Sequence, residues 1–275
     1  MCSGDPRPFE VTRPKGRPAP LIAHVPHAAT QVPERVRRRI VLDDHELRGE
    51  IVRLTDWHVE RLFSWVPGLG GAMFMSTLSR VAFDPERFRD DADEPMAEVG
   101  QGSLYDGTTQ LGKLAAITDE EREWRLTHWY DPYHEAFEAH VTALLERFGR
   151  ALILDCHSFA TVPLPSEPDQ TPDRPDVCIG TDALHTPPEL VDALEARVGA
   201  EGLVVRRDTP FAGTIVPLRY YRTDKRVSSV MVEVRRGLYC DEANGEPTAG
   251  FDGITTALER AVGGVVTAFV GAWAE

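Results

Sequence analysis

Residues 151–161, ALILDCHSFAT, constrain the fold more than any other stretch, because an apolar run breaks off into Asp-Cys-His-Ser. This pattern reads as a buried strand whose carboxyl end turns polar, and α/β enzymes keep their chemistry at such strand ends. Alternate residues of a strand share a face, so Asp155 and His157 point one way while Cys156 and Ser158 point the other. A carboxylate beside an imidazole fixes its tautomer and raises its basicity, which suits a metal ligand or a general base. A hydrogen-bonded core histidine fits the same position, so the remaining segments have to decide.

Residues 21–27 (LIAHVPH) read as a short buried strand with His24 and His27 at its end, His27 the nearer to a cleft. Asp43 and Asp44 open a single helix that runs to Pro67, with Leu47, Ile51, Leu54, His58, Leu62 and Trp65 near helical spacing. Asp56 lies off that stripe, where a solvated charge is the ordinary expectation. A strand follows and ends at Arg80, continuing into VAFDPER. Residues 88–113 have no clear period, and long loops of this kind often cover active sites. Thr118 and Glu121 form a capping box for a long helix that Pro132 should kink near Tyr130, with His128 and His134 on either side. Further strands are expected at 176–181, 203–207 and 227–239, and helices at 188–200 and 254–273. In the strand at 227–239 Glu233 interrupts an apolar centre, which costs free energy unless a metal, an arginine or a catalytic water compensates it.

Strands alternating with helices, without a fixed repeat, predict an α/β fold: a mixed, mostly parallel central sheet flanked by helices on both faces. One domain over residues 21–275 is expected, preceded by a tail over 1–20 that lacks the apolar core of a secretory signal. No span approaches the roughly 18 apolar residues of a membrane helix. A net charge of -14 argues against nucleic acid and anionic lipid as partners, so an anionic ligand must be met by local arginines. Cys2, Cys156, Cys178 and Cys240 have no CxxC spacing and read as reduced thiols of a cytoplasmic protein. Oligomeric state is not readable from the chain.

Two histidines and a carboxylate form a common ligand set for hydrolytic zinc, and a second carboxylate then serves as base. His27, Asp56 and His157 fit the first role, for one divalent ion with zinc expected, and Glu233 fits the second. The chain has no HExxH, GxSxG or P-loop motif. Arg80, Arg87 and Arg219, with Ser158, are the substrate-contacting candidates, since a planar guanidinium grips a carboxylate through two parallel bonds.

HVPHAATQVP, TDWHVERLF, STLSRVAFDPERF, WYDPYHEAF, ILDCHSF and VMVEVRRGLY occur in the order of the N-formylglutamate amidohydrolases, and the chain resembles that family over nearly its whole length. The resemblance implies a zinc-exopeptidase-like hydrolase fold, His157 as a ligand, Glu233 as the base, and hydrolysis of a small anionic N-formyl or N-acyl amino acid. An aminoacylase or carboxypeptidase-like hydrolase, or a metal-binding protein without turnover, is the alternative. The wider zinc carboxypeptidase and aspartoacylase group has an HxxE motif where His27 is followed by Thr30, which leaves Asp56 as the carboxylate ligand. A DLNRP-like run is replaced by FDPERF, with Glu86 for asparagine.

Overall fold

A computed structural model describes residues 6–274. Among these residues seven strands are present: β1 Phe9–Thr12, β2 Leu21–Val25, β3 Ala72–Ser76, β4 Ala151–Phe159, β5 Val177–Gly180, β6 Val205–Arg207 and β7 Val227–Arg235. They form one sheet in the order β1-β3-β2-β4-β7-β5-β6. The inner block β3-β2-β4-β7 is parallel, whereas β1 runs antiparallel to β3 and β5 antiparallel to β7. The helices are α1 Glu34–Arg37, α2 Asp44–Leu54, α3 Val59–Leu62, α4 Asp119–Arg125, α5 Asp131–Phe148, α6 Pro188–Ala200, α7 Phe251–Leu258 and α8 Gly264–Gly271.

The sheet carries a separate apolar core on each face, because β2 and β4 are apolar at both odd and even positions. Leu21, Ala23, Leu152, Leu154, Cys156, Val230 and Val232 pack with α3, α6, α7 and α8. Ile22, Phe74, Ala151 and Ile153 pack with α2 and α5, through Leu47, Leu54, Phe137, Val141 and Leu145. His24, Asp155, His157 and Glu233 belong by alternation to the second face. There the apolar layer ends and a polar cluster replaces it at the carboxyl ends of β2, β4 and β7.

Four local expectations are corrected. The segment before residue 20 is more than a tail: Phe9–Thr12 pairs with β3 as an edge strand, and Phe9 is buried against Phe74 and Tyr133. Asp43 does cap a helix, with Glu46 completing the capping box, but that helix stops at Leu54 and does not reach Pro67. The third strand ends at Ser76, and residues 77–94 are turns and bends. The run Phe251–Gly271 is long and apolar enough to cross a membrane by length and composition. In this fold its Leu258, Ala261, Val262 and Val266 lie in the core beneath the sheet.

Pro132 has the expected local effect. A π-helical turn, Leu126–Tyr130, joins α4 to α5 where proline cannot donate its bond, and it turns Tyr130 and Tyr133 inward. Cys156, Cys178 and Cys240 are buried free thiols, while Cys2 lies outside the described residues.

Candidate active site

The register of the parallel strands sets His24 opposite Asp155 and His157 opposite Glu233. His157 Nε2 lies 3.0 Å from Asp155 Oδ1, and His157 Nδ1 lies 3.1 Å from Asp56 Oδ2. The Asp155 carboxylate is itself held, Oδ1 by His24 Nδ1 at 2.9 Å and Oδ2 by the Ile215 N–H at 3.0 Å. Tyr133 Oη closes the chain on His24 Nε2 at 2.8 Å. One ring nitrogen of His157 is thus fixed by a buried carboxylate and the other is directed at Asp56.

His27 is oriented in the same manner by a different partner. Its Nε2 meets Asp84 Oδ1 at 2.8 Å, and Asp84 Oδ2 takes bonds from Arg80 Nη2 at 2.7 Å and Tyr105 Oη at 2.7 Å. The other nitrogen, His27 Nδ1, is buried without a hydrogen-bond partner and lies 3.7 Å from Asp56 Oδ2. An orphaned imidazole nitrogen is costly in a protein interior, and a cation resolves it. Donor atoms of His27, Asp56 and His157 all lie within 4.8 Å of one another. Bonds of ~2.0–2.2 Å to one cation span at most ~4.4 Å, which covers the separations of Asp56 Oδ2 from His157 Nδ1, 3.1 Å, and from His27 Nδ1, 3.7 Å. Two imidazoles, which ligate once deprotonated, and a carboxylate are the donor chemistry of such a site, so the residues present fit a divalent ion.

Asp56 enters the cluster because α2 is interrupted. Its backbone N–H donates to His27 O at 3.0 Å, and Trp57 Nε1 donates to Val52 O at 3.0 Å. Arg236 Nη1 donates to Arg53 O at 2.8 Å and Thr55 O at 3.0 Å, satisfying carbonyls a helix end leaves open. His58 adopts φ 60° and its Nε2 meets Gly245 O at 2.8 Å. Gly245 is required there, since a Cβ would sit 2.4 Å from the Trp57 ring. The sequence places Asp56 on a helix, but tertiary contacts take it off that helix and bury it.

Electrostatics follow from burial and neighbours. Burial opposes the charge of Asp56, but His157 and His27 outweigh it and hold the carboxyl well below its usual range. For His157 burial likewise works against the proton, and Glu86 and Asp155 overcome it, raising the imidazole well above its ordinary value. Burial pushes Glu233 up to about 8, with Asp56, Glu86 and Asp155 reinforcing the shift. Glu233 Oε2 is buried without a partner. His157 offsets part of that rise, and among the described residues no arginine forms an ion pair with Glu233.

A cavity of about 530 Å³ opens over this cluster, lined by His27, Asp56, His157, Ser158 and Glu233 among others. Arg80 and Arg87 also line it, from the loop after β3. Arg80 is tied to Asp84 by two bonds, and Arg87 lies 4.0 Å from both Asp84 and Glu94. Arg219 is a correction: its side chain is 66% exposed, lies 3.7 Å from Glu138 and does not line the cavity. The turn at Pro217–Tyr220 directs Tyr220 inward against Thr142 and leaves Arg219 in solvent. Phe88, Met96, Gln101, Tyr105 and Thr109 from the aperiodic loop form part of the wall, and His134 of α5 lines it too. His128 is exposed and stacks on Trp124 away from the site.

Sequence patterning missed Glu86 and Arg236 as contributors. Glu86 Oε2 lies 3.1 Å from His157 Nε2 and 3.9 Å from His27 Nδ1. Burial disfavours its charge, yet His157 and His24 hold its carboxyl well below the usual range. The glutamate in FDPERF therefore sits among imidazoles and is compensated within the cluster. The signal for Arg236 was its place in VEVRRG, three residues after Glu233.

Comparison with known proteins decides the family. The family model described as N-formylglutamate amidohydrolase matches residues 19–240. The chain belongs to the N-formylglutamate amidohydrolase family. An N-formylglutamate deformylase of Pseudomonas aeruginosa is 29% identical over 236 residues, 83% of this chain and 84% of that protein. One of Pseudomonas putida is 27% identical over 81% of this chain and 82% of its own length. The crystal structure of an N-formylglutamate amidohydrolase from Ralstonia eutropha superposes with a TM-score of 0.82 at 26% identity, covering 96% of this chain and 97% of that one. A gene product of Agrobacterium tumefaciens shares the fold, with a TM-score of 0.70 at 17% identity and 96% coverage of each chain.

Proposed function

We propose that the chain is an N-formyl amino acid amidohydrolase of the N-formylglutamate deformylase kind, with one divalent cation, zinc, held by His27 Nδ1, Asp56 and His157 Nδ1. The observation that carries this reading is the convergence of three buried donors, one of them orphaned, beside an unpartnered buried glutamate. Family membership supplies the reaction class, hydrolysis of a linear amide.

When bound, the cation polarises the formyl oxygen, lowers the pKa of water and favours ionised Glu233 by its charge. The chain's own residues do the rest. Asp84 and Asp155 fix the imidazoles of His27 and His157 so that both Nδ1 atoms face Asp56. Glu233, ionised, takes a proton from the attacking water and hands it to the amide nitrogen as the C–N bond breaks. One water is consumed, and formic acid and the free amino acid leave. The cavity's four lining arginines, Arg53, Arg80, Arg87 and Arg236, support a substrate that carries a carboxylate.

The test pairs metal analysis with product analysis. Purified protein should contain one zinc per chain and release formate from N-formylglutamate, with acetate release from N-acetylglutamate far slower. Activity should vanish on chelation and return with zinc. Full activity in a metal-free sample, or equal turnover of acetyl and formyl substrates, contradicts the reading.

A further inference from the structure

Four arginines line the cavity, and three have carboxylates near them. Arg53 Nη2 lies 2.7 Å from Glu50, Arg80 Nη2 lies 2.7 Å from Asp84, and Arg87 Nε lies 4.0 Å from Asp84 and from Glu94. Arg236 differs. It is only 5% exposed, and among the described residues no carboxylate oxygen comes within 4.0 Å of its guanidinium. Its Nη1 is engaged by two neutral carbonyls, Arg53 O and Thr55 O. Its Nε is buried with no partner, and its Nη2 makes no hydrogen bond among the described residues.

A buried guanidinium with an open Nε and Nη2 presents the edge that a carboxylate fills with two parallel charge-assisted bonds. Leaving that charge uncompensated is expensive, so an anion arriving from the cavity gains more here than at an arginine already paired. The position is also rigid. Arg236 follows Glu233 by three residues and is pinned to the carbonyl that precedes Asp56. An anion bound there is held at a fixed distance from both the proton-transferring carboxylate and the Asp56 donor, as orientation of a reacting amide requires.

We propose that Arg236 is the residue that receives a carboxylate of the substrate. The inference rests on the amide hydrolysis proposed above and adds the group that reads the substrate's charge. In N-formylglutamate that carboxylate is either the α or the γ group, and capped analogues tell them apart.

Wild type, Arg236→Gln and Arg236→Lys are compared on N-formylglutamate, its γ-carboxamide N-formylglutamine and its α-carboxamide N-formylisoglutamine. Formate release gives KM and kcat, and calorimetric titration with L-glutamate measures carboxylate binding without turnover. Loss of a charged hydrogen-bond partner should raise KM roughly 10- to 100-fold in Arg236→Gln for substrates that keep the recognised carboxylate, with kcat changed far less. The analogue capped at that carboxylate should be poor for wild type and, with zinc saturating, should lose at least tenfold less than the acid on substitution, which assigns the group as α or γ. Arg236→Lys keeps the charge but not the fork, so it should retain part of the discrimination. If Arg236→Gln does not fold, that partial loss in Arg236→Lys is the deciding quantity.

Equal losses on all three substrates would mean that Arg236 only holds Thr55 and Asp56 in place, and would overturn the proposal. So would an unchanged preference between acid and carboxamide. Should wild type release no formate from any substrate, the hydrolytic reading fails by itself. The glutamate titration still decides the binding role: tight in wild type and at least tenfold weaker in Arg236→Gln supports it, and equal binding refutes it.

Discussion

Glu233 and Asp56 reach the same cluster by opposite routes. Glu233 stands near the carboxyl end of a nine-residue strand, in register with His157 and locked by ladders to β4 and β5 on either side. Asp56 stands in a gap between two helices, and its position depends on separate contacts from His27, Arg236 and the Trp57 and His58 side chains. A side chain placed by a sheet inherits the rigidity of the sheet. One placed by tethers is only as well fixed as the tethers.

Substitutions at the sheet-borne residues should have the largest effects and the cleanest meaning. His157→Ala should abolish both metal binding and turnover, measured as zinc content and formate release. Stoichiometric zinc in that variant would remove His157 from the site. Glu233→Gln keeps the shape and should retain zinc while losing roughly two to four orders of magnitude in kcat. Activity near wild type there would reduce Glu233 to a structural group.

A neighbouring residue carried in by regular secondary structure sharpens the contrast through pH. Burial pulls His134 of α5 down to about 4, from an ordinary value near 6.5 in the unfolded chain. Between those values the unfolded chain binds a proton that the folded chain refuses, so stability falls as pH drops from about 6.5 to 4. His134→Gln should abolish that loss, worth about 3 kcal/mol by pH 4, in urea unfolding across this range. A pH dependence identical to wild type would show that the buried imidazole accepts its proton freely.

The smallest effect is expected at a tether. Trp57→Phe removes the Nε1 bond to Val52 O and trims the ring that packs on Gly245, and should cost about 1–2 kcal/mol of stability. It should also weaken zinc binding more than it changes the rate of the metal-saturated enzyme. If it leaves zinc affinity untouched while lowering kcat, Asp56 is not positioned by that bond.

The same difference explains what was legible in the sequence. Strand periodicity marked β2, β4 and β7, and a polar residue breaking an apolar run marked His157 and Glu233, because those signals are local. The mixed sheet with helices on both faces followed from the alternation of elements. The end of α2 at Leu54 was not legible, since Thr55–His58 continue the helical pattern and only distant groups interrupt it. The edge strand Phe9–Thr12 is four residues long with a single buried side chain, too little pattern to register. Arg219 and Arg236 look alike in sequence, one among tyrosines and the other among valines and glycine. Only the fold distinguishes a guanidinium in solvent from one buried in the cavity without a carboxylate.

Anomalous diffraction at the zinc edge, from crystals of the metal-loaded protein, measures where the two routes meet. A single peak ~2.0–2.2 Å from His27 Nδ1, a carboxylate oxygen of Asp56 and His157 Nδ1 is the expected result. A peak bound through His157 Nε2, or one that leaves Asp56 unligated, would contradict the site described above.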